Sequence, residues 1–284
     1  MTPWRDYSGR LSPLKLIVFL ALFAPALWVA VSYSMGMLGA RALTEAIHQI
    51  GLWTLRFLFL ALAITPLRDI LRWPNLMLVR RMLGVAAFAY VMIHLVLYAA
   101  DEAFDLVKVA SEIVLRIYLT IGFVALLGLA VLAATSTDAM VRRLGRGWYK
   151  LHRIAYVIAA LSCIHFFMQS KLQQWEPTVM AGLFLWLIGY RLLAWRFAKR
   201  GHLAIGWVFG LGIATGLLTA LGEVGWFWFK LNVEPIRVLS VNWTFVTGVR
   251  PAPVVLAIGL GIALLGAIRW FRQSQGRRVA RAAS

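Results

Sequence analysis

RRLGRGWYKLHRIAYVIAALSCIHFFMQSK, residues 142–171, opens as a basic, glycine-punctuated loop and runs into an apolar helix that carries His152 and His165. Membrane histidines are uncommon. An imidazole facing hydrocarbon has no partner for its ring nitrogens, so a polar group at that depth marks a functional site by default. The spacing predicts a helix from about Leu151 to Met168, with the remaining helices arranged around it.

Composition supports a membrane setting. Of 284 residues, 62% are hydrophobic and 14% charged. A soluble chain of this length carries more charge. The apolar runs reach the roughly 20 residues that a helix needs to cross a bilayer. They are continuous, not alternating, which predicts helices and excludes a barrel. The net charge is +18, but Lys and Arg gather at the ends of the apolar runs. Membrane topology accounts for that pattern, and nucleic-acid binding is set aside. Cys163 is the only cysteine. This excludes an internal disulfide, a Cys-rich zinc site and covalent haem attachment through Cys-x-x-Cys-His. Cys163 itself reads as a small packing residue.

Working outward, the first span is expected from Leu16 to about Ser34, as an uncleaved helix, and the second from about Ile50 to Thr65, ending at Pro66. The third follows Arg80 and Arg81 and reaches Ala100; the fourth covers Tyr118 to Thr135. The sixth begins at Pro177, a suitable first-turn proline, and ends near Trp195. The seventh covers Leu203 to Leu221 and the eighth Val254 to Phe271. Between these two, Trp226 to Phe229 read as an interfacial aromatic belt. Residues 272–284 read as a mobile basic tail near the lipid surface. No strong internal repeat is visible.

Eight spans place both termini on one side. That side carries 21 of the 29 Lys and Arg residues, the other side carries 7, and Arg56 falls inside a span. The positive-inside rule makes the terminal side cytoplasmic.

On this topology the third and fifth spans run in parallel. His94 lies 13 residues beyond Arg81 and His165 lies 12 beyond Arg153, so both imidazoles sit roughly 18–20 Å above the cytoplasmic end. Two histidines at one depth on neighbouring helices suit the two axial positions of one haem b, an electron-transfer arrangement with no position left for dioxygen. His152 sits 13 residues before His165, about 20 Å lower, a spacing that suits a second haem. Two features oppose it. Straight-helix geometry leaves the two rings roughly 140° apart, and the third span offers Arg81 or Met82 at the matching depth, not a histidine. Hydrogen-bonded core roles for His94 and His165, and an interfacial role for His152, are the alternatives. His48 reads as a capping or surface residue and His202 as solvent-exposed. Arg56 lies about 9 Å inside the outer end of its helix, where a haem propionate would balance it; snorkelling to the headgroups is the alternative.

With these residues in view, ITPLRD (Ile64 to Asp69), the Arg80–Tyr98 stretch, the Thr135–Val157 run and IHFFMQSK (Ile164 to Lys171) resemble the ferric-reductase-like transmembrane family. Within it, the chain is similar to the haem-binding membrane subunits of periplasmic protein-methionine-sulfoxide reductase systems. The resemblance covers about residues 10–198. It implies an all-α integral membrane fold: a six-helix haem-binding bundle over residues 1–200, followed at 201–284 by an extension with two further spans and a basic tail. It implies haem b, one or two copies, with His94 and His165 as iron ligands and His152 as a ligand of any second haem. No catalytic residue is implied. Electrons would come from the quinone pool or a cytoplasmic flavin reductase, and flavin mononucleotide (FMN) is a further expected cofactor. The acceptor would be a periplasmic, molybdopterin-containing, MsrP-like reductase, and the location the bacterial inner membrane. No stretch reads as a Rossmann fingerprint or a P-loop, so the donor would be membrane-soluble or a separate protein. Asp101, Glu102, Asp105 and Glu112 form an outer acidic loop suited to a basic partner, and Arg142 to Lys150 a basic inner loop suited to propionates or flavin phosphate.

Two rival functions stay open. One is a metal-ion reductase that passes electrons directly to ferric chelates. The other is a non-redox transporter or assembly factor whose histidines are structural; paired discontinuous helices would mark it.

Overall fold

The structure, a computed structural model, describes residues 4–5, 9–170, 174–198, 202–244 and 248–282, with backbone alone at 274 and 276–282. Lys171, Lys199 and Arg200, and the side chains of Arg277, Arg278 and Arg281, lie outside the described residues. The chain is 85% helical, with no strand among the described residues. Among the described residues eight stretches are long and apolar enough to cross a membrane: Pro13–Ser34, Ala42–Leu71, Pro74–Asp101, Ile117–Ala134, Arg146–Gln169, Trp175–Phe197, Ile205–Leu231 and Pro251–Gln273. They match the eight spans expected from sequence, and the protein is a multi-pass membrane protein.

The chain divides into two compact units. The first comprises Met1–Leu62 and Met77–Gln169, the second Ala63–Leu76 and Ser170–Ser284.

In the first unit, α1 (Pro13–Ala21) starts at Ser12, whose hydroxyl accepts from the Lys15 amide at 3.4 Å. The span is broken before α2 (Ala24–Ser34), because Pro25 has no N–H to offer Ala21. Tyr90 repairs the break. Its hydroxyl donates to the Leu22 carbonyl at 2.6 Å and accepts from the Ala26 amide at 3.0 Å, inserting itself between two groups that a regular helix would pair. Tyr90 comes from α4 (Met77–Asp101), which follows α3 (Ala42–Leu71). The short α5 (Leu106–Leu115) is capped by Asp105 and leads into α6 (Ile117–Ala134). Two short helices, α7 (Asp138–Leu144) and α8 (Arg146–Leu151), precede α9 (Ala155–Gln169). Gly145, at φ +49°, makes the corner between α7 and α8.

The second unit contains α10 (Trp175–Phe197), α11 (Ile205–Leu231), α12 (Pro235–Thr244) and α13 (Pro251–Ala282). α11 and α13 approach backbone to backbone: a Cβ on Gly259 would stand 2.7 Å from the Gly212 Cα. Small residues at such crossings are how membrane helices gain close packing without a hydrophobic drive.

Three sequence expectations need correction. α3 does not stop at Pro66 but continues to Leu71. Proline is tolerated within a membrane helix when its surroundings absorb the lost bond; Pro66 is fully buried, and the boundary between the two units falls at Leu62, the residue whose carbonyl Pro66 cannot reach. Trp226 to Phe229 belong to the last turns of α11, which runs ten residues past the expected end and closes at Asn232 in the left-handed conformation, φ 55°. The expected mobile tail continues α13 as helix to Ala282.

Candidate functional site

α4 presents His94 and α9 presents His165, and the structure brings the two rings together. Their centroids are 6.5 Å apart and their planes perpendicular. The two histidines singled out from sequence thus stand side by side. Both rings are half-buried.

Each ring is held from behind by a backbone carbonyl of the preceding span. His94 Nδ1 lies 2.9 Å from the Ile47 oxygen on α3. His165 Nδ1 lies 2.7 Å from the Tyr118 oxygen on α6, and the Tyr118 ring stacks beside His165. A carbonyl only accepts, so Nδ1 must carry the proton in both rings. In the neutral imidazole Nε2 then keeps its lone pair, which is the state a metal requires. Both carbonyls are the i−4 acceptors of a glycine turn: Gly51 follows Ile47 and Gly122 follows Tyr118. A Cβ on Gly51 would stand 2.9 Å from His94 Nδ1, and one on Gly122 would stand 2.7 Å from His165 Nδ1. The rings lie where a side chain would otherwise be.

The arrangement is written twice. Ile47 and Tyr118, Gly51 and Gly122, and His94 and His165 are each separated by 71 residues. Sequence reading found the histidines and missed the glycines and the repeat. The signal was present as a carbonyl acceptor position, a glycine four residues on and a histidine 47 residues on, but glycine is too common in membrane helices to stand out alone.

The pair fits a haem iron. Two imidazole–metal bonds of about 2.0 Å, with roughly 1.1 Å from each nitrogen to its ring centre, give about 6.2 Å between centroids, close to the observed 6.5 Å. Among the described residues no group of three or more His, Cys, Asp or Glu side chains stands together.

His152 lies apart from this pair. Its Nε2 is 3.2 Å from the Thr135 hydroxyl, and its ring stacks on Trp148 at 3.9 Å, while Trp148 itself donates to the Thr135 carbonyl at 2.9 Å. A 3₁₀ turn occupies His152–Ile154. At about 120° per residue, it brings the His152 and His165 directions from roughly 140° to about 80° apart. The position 71 residues before His152 is Arg81, which is bound to Asp138 at 2.6 Å. Arg56 lies 4.7 Å over the Trp53 ring one turn away on its own helix. His48 stands 4.0 Å from Glu45 at the start of α3, a surface pairing, and His202 is exposed.

The acidic loop of Asp101 to Glu112 is partly neutralised from within. Glu102 pairs with Lys108 and Glu112 with Arg116, each at 2.6 Å, while Asp105 caps α5. These contacts raise the Lys108 amine, chiefly through the Glu102 hydrogen bond, and the Arg116 guanidinium, chiefly through Tyr118. At the opposite end, Arg81 holds the Asp138 carboxyl below the usual range.

Comparison with known proteins places the chain in a family. Residues 48–163, which span His94 and His152 and end two residues before His165, match the family described as ferric reductase like transmembrane component. The protein-methionine-sulfoxide reductase heme-binding subunit MsrQ of Rhodospirillum rubrum is 39% identical over 191 residues, covering 66% of this chain and 89% of that protein. The subunit of the same name from Brucella ovis is 38% identical over 184 residues, covering 64% of this chain and 81% of its own. No solved structure matches. With the identity reaching across nearly the whole of those shorter subunits, this chain belongs to the MsrQ family of membrane subunits.

Proposed function

We propose that the protein carries electrons across the bacterial inner membrane through haem b held between His94 and His165. One observation carries the reading: two imidazoles 6.5 Å apart, each with Nδ1 committed to a backbone carbonyl. Bound haem would supply a one-electron couple at this position. The residues fix the ring tautomers and orient Nε2, and two imidazoles on one iron suit electron transfer.

The finer assignments rest on the same reading. The donor is the quinone pool or a cytoplasmic flavin reductase, and the acceptor a periplasmic, molybdopterin-containing, MsrP-like reductase, as the relatives' names suggest. His152 serves a second haem only by exchanging its contact with Thr135, so that site is the weaker of the two. Arg56 would balance a propionate by leaving the Trp53 face. The inner loop Arg142 to Lys150 would take FMN phosphate. Residues 1–200 form the haem-binding domain and 201–284 an accessory one, with both termini cytoplasmic.

The test is a reduced-minus-oxidised spectrum of the purified protein. A b-type signal is expected, and both His94→Ala and His165→Ala should abolish the same component. Unchanged haem content in either variant removes the pair.

A further inference from the structure

α11 carries a carboxylate, Glu223, within a membrane span and only 4% exposed. Arg250, the residue before α13, donates from Nη2 to Glu223 Oε1, and its guanidinium also lies 5.5 Å over the Phe227 ring. Asn242 on α12 is 0% exposed. Its amide lies against Glu223, and its Nδ2 donates to the Val238 carbonyl at 3.1 Å. Three elements therefore meet at one buried polar cluster, well beyond residues 48–163.

The cluster is incomplete. Glu223 Oε2, Asn242 Oδ1 and Arg250 Nε are each buried without a protein partner. A buried ion pair is stable only when its remaining lone pairs and protons are also satisfied. Two of the three atoms accept and one donates. The complement is one group that donates two hydrogens and accepts one. Water does this. A phenolic hydroxyl donates once, an ammonium accepts nothing, and a metal cation is repelled by the guanidinium.

We propose that Glu223, Asn242 and Arg250 form a binding site for a single internal water molecule, which fastens α12 to α11 and to the start of α13. The segment between the last two spans is then held by a hydrated ion pair, and not by apolar contact alone. The site is independent of haem binding.

The test is an experimental map of the full chain in lipid nanodiscs, at a resolution that shows ordered water. One isolated peak within hydrogen-bond distance of both Glu223 Oε2 and Asn242 Oδ1 is expected. Direct closure of the three atoms with no peak overturns the site. An elongated planar feature, the mark of a phenolic amphiphile such as a quinol, overturns water as its ligand. Asn242→Leu keeps the volume and removes the acceptor, so the peak should vanish while the helices remain; a peak that persists takes Asn242 out of the site. If that variant does not fold, the wild-type map still decides.

Discussion

Two glycines govern how closely each imidazole can approach the span behind it. Gly51→Ala and Gly122→Ala would each drive a methyl group into the ring it supports, at 2.9 and 2.7 Å from Nδ1. Contacts that short force a ring to shift, and a shifted ring loses the carbonyl that sets its tautomer. Both variants should lower the haem-to-protein ratio of purified material, Gly122→Ala more than Gly51→Ala, as pyridine haemochrome measurement would show. Equal haem content in both would mean that the rings have room to move. Tyr90 is a second decisive residue. Tyr90→Phe strands the Leu22 carbonyl and the Ala26 amide at a buried break, at a cost of about 1–3 kcal/mol. A lowered unfolding midpoint in detergent, with haem retained, is the expected result. The histidines were legible because an imidazole in an apolar run has no bland explanation. The glycines and Tyr90 were not, because their roles depend on which helix lies opposite.

At the scale of the element, hydrophobic run length found all eight spans, yet boundaries failed wherever local rules met tertiary support. Pro66 should end a helix in water, but within lipid the backbone has no alternative partner and α3 continues. The short turn at His152–Ile154 stands where sequence reading starts the fifth span as regular helix. The contact between α4 and α7 offers a pH test. Arg81 depresses the Asp138 carboxyl, so the pair's contribution is complete above the ordinary carboxylate pKa of about 3.9 and fades as pH falls through the lower folded value. The pair is solvent-exposed, so the effect is small. Asp138→Asn should melt slightly below wild type at neutral pH and level with it in strong acid. A gap that persists in acid would assign Asp138 a role that does not depend on its charge.

For the whole molecule, every group that touches the two rings belongs to the unit of Met1–Leu62 and Met77–Gln169. Truncation after Arg200 should therefore leave the haem spectrum in place; its loss would show that the last two spans support the core. The asymmetric distribution of Lys and Arg predicts cytoplasmic termini, so reporter fusions active only in the periplasm should be silent at residue 284. What sequence conveyed at this scale was the bundle of apolar spans. It hid the duplication, since helix-facing positions tolerate many apolar side chains and only a carbonyl position, a glycine and a histidine are fixed.

That duplication has a consequence for assembly. Each pair of helices, α3 with α4 and α6 with α9, supplies one carbonyl-held imidazole. A porphyrin arriving between them would act as a rivet, joining two similar halves that otherwise meet through lipid-like surfaces. Chains made in porphyrin-starved cells should accordingly be cut by protease between the halves, in the 102–116 segment, and gain resistance once the pigment is restored.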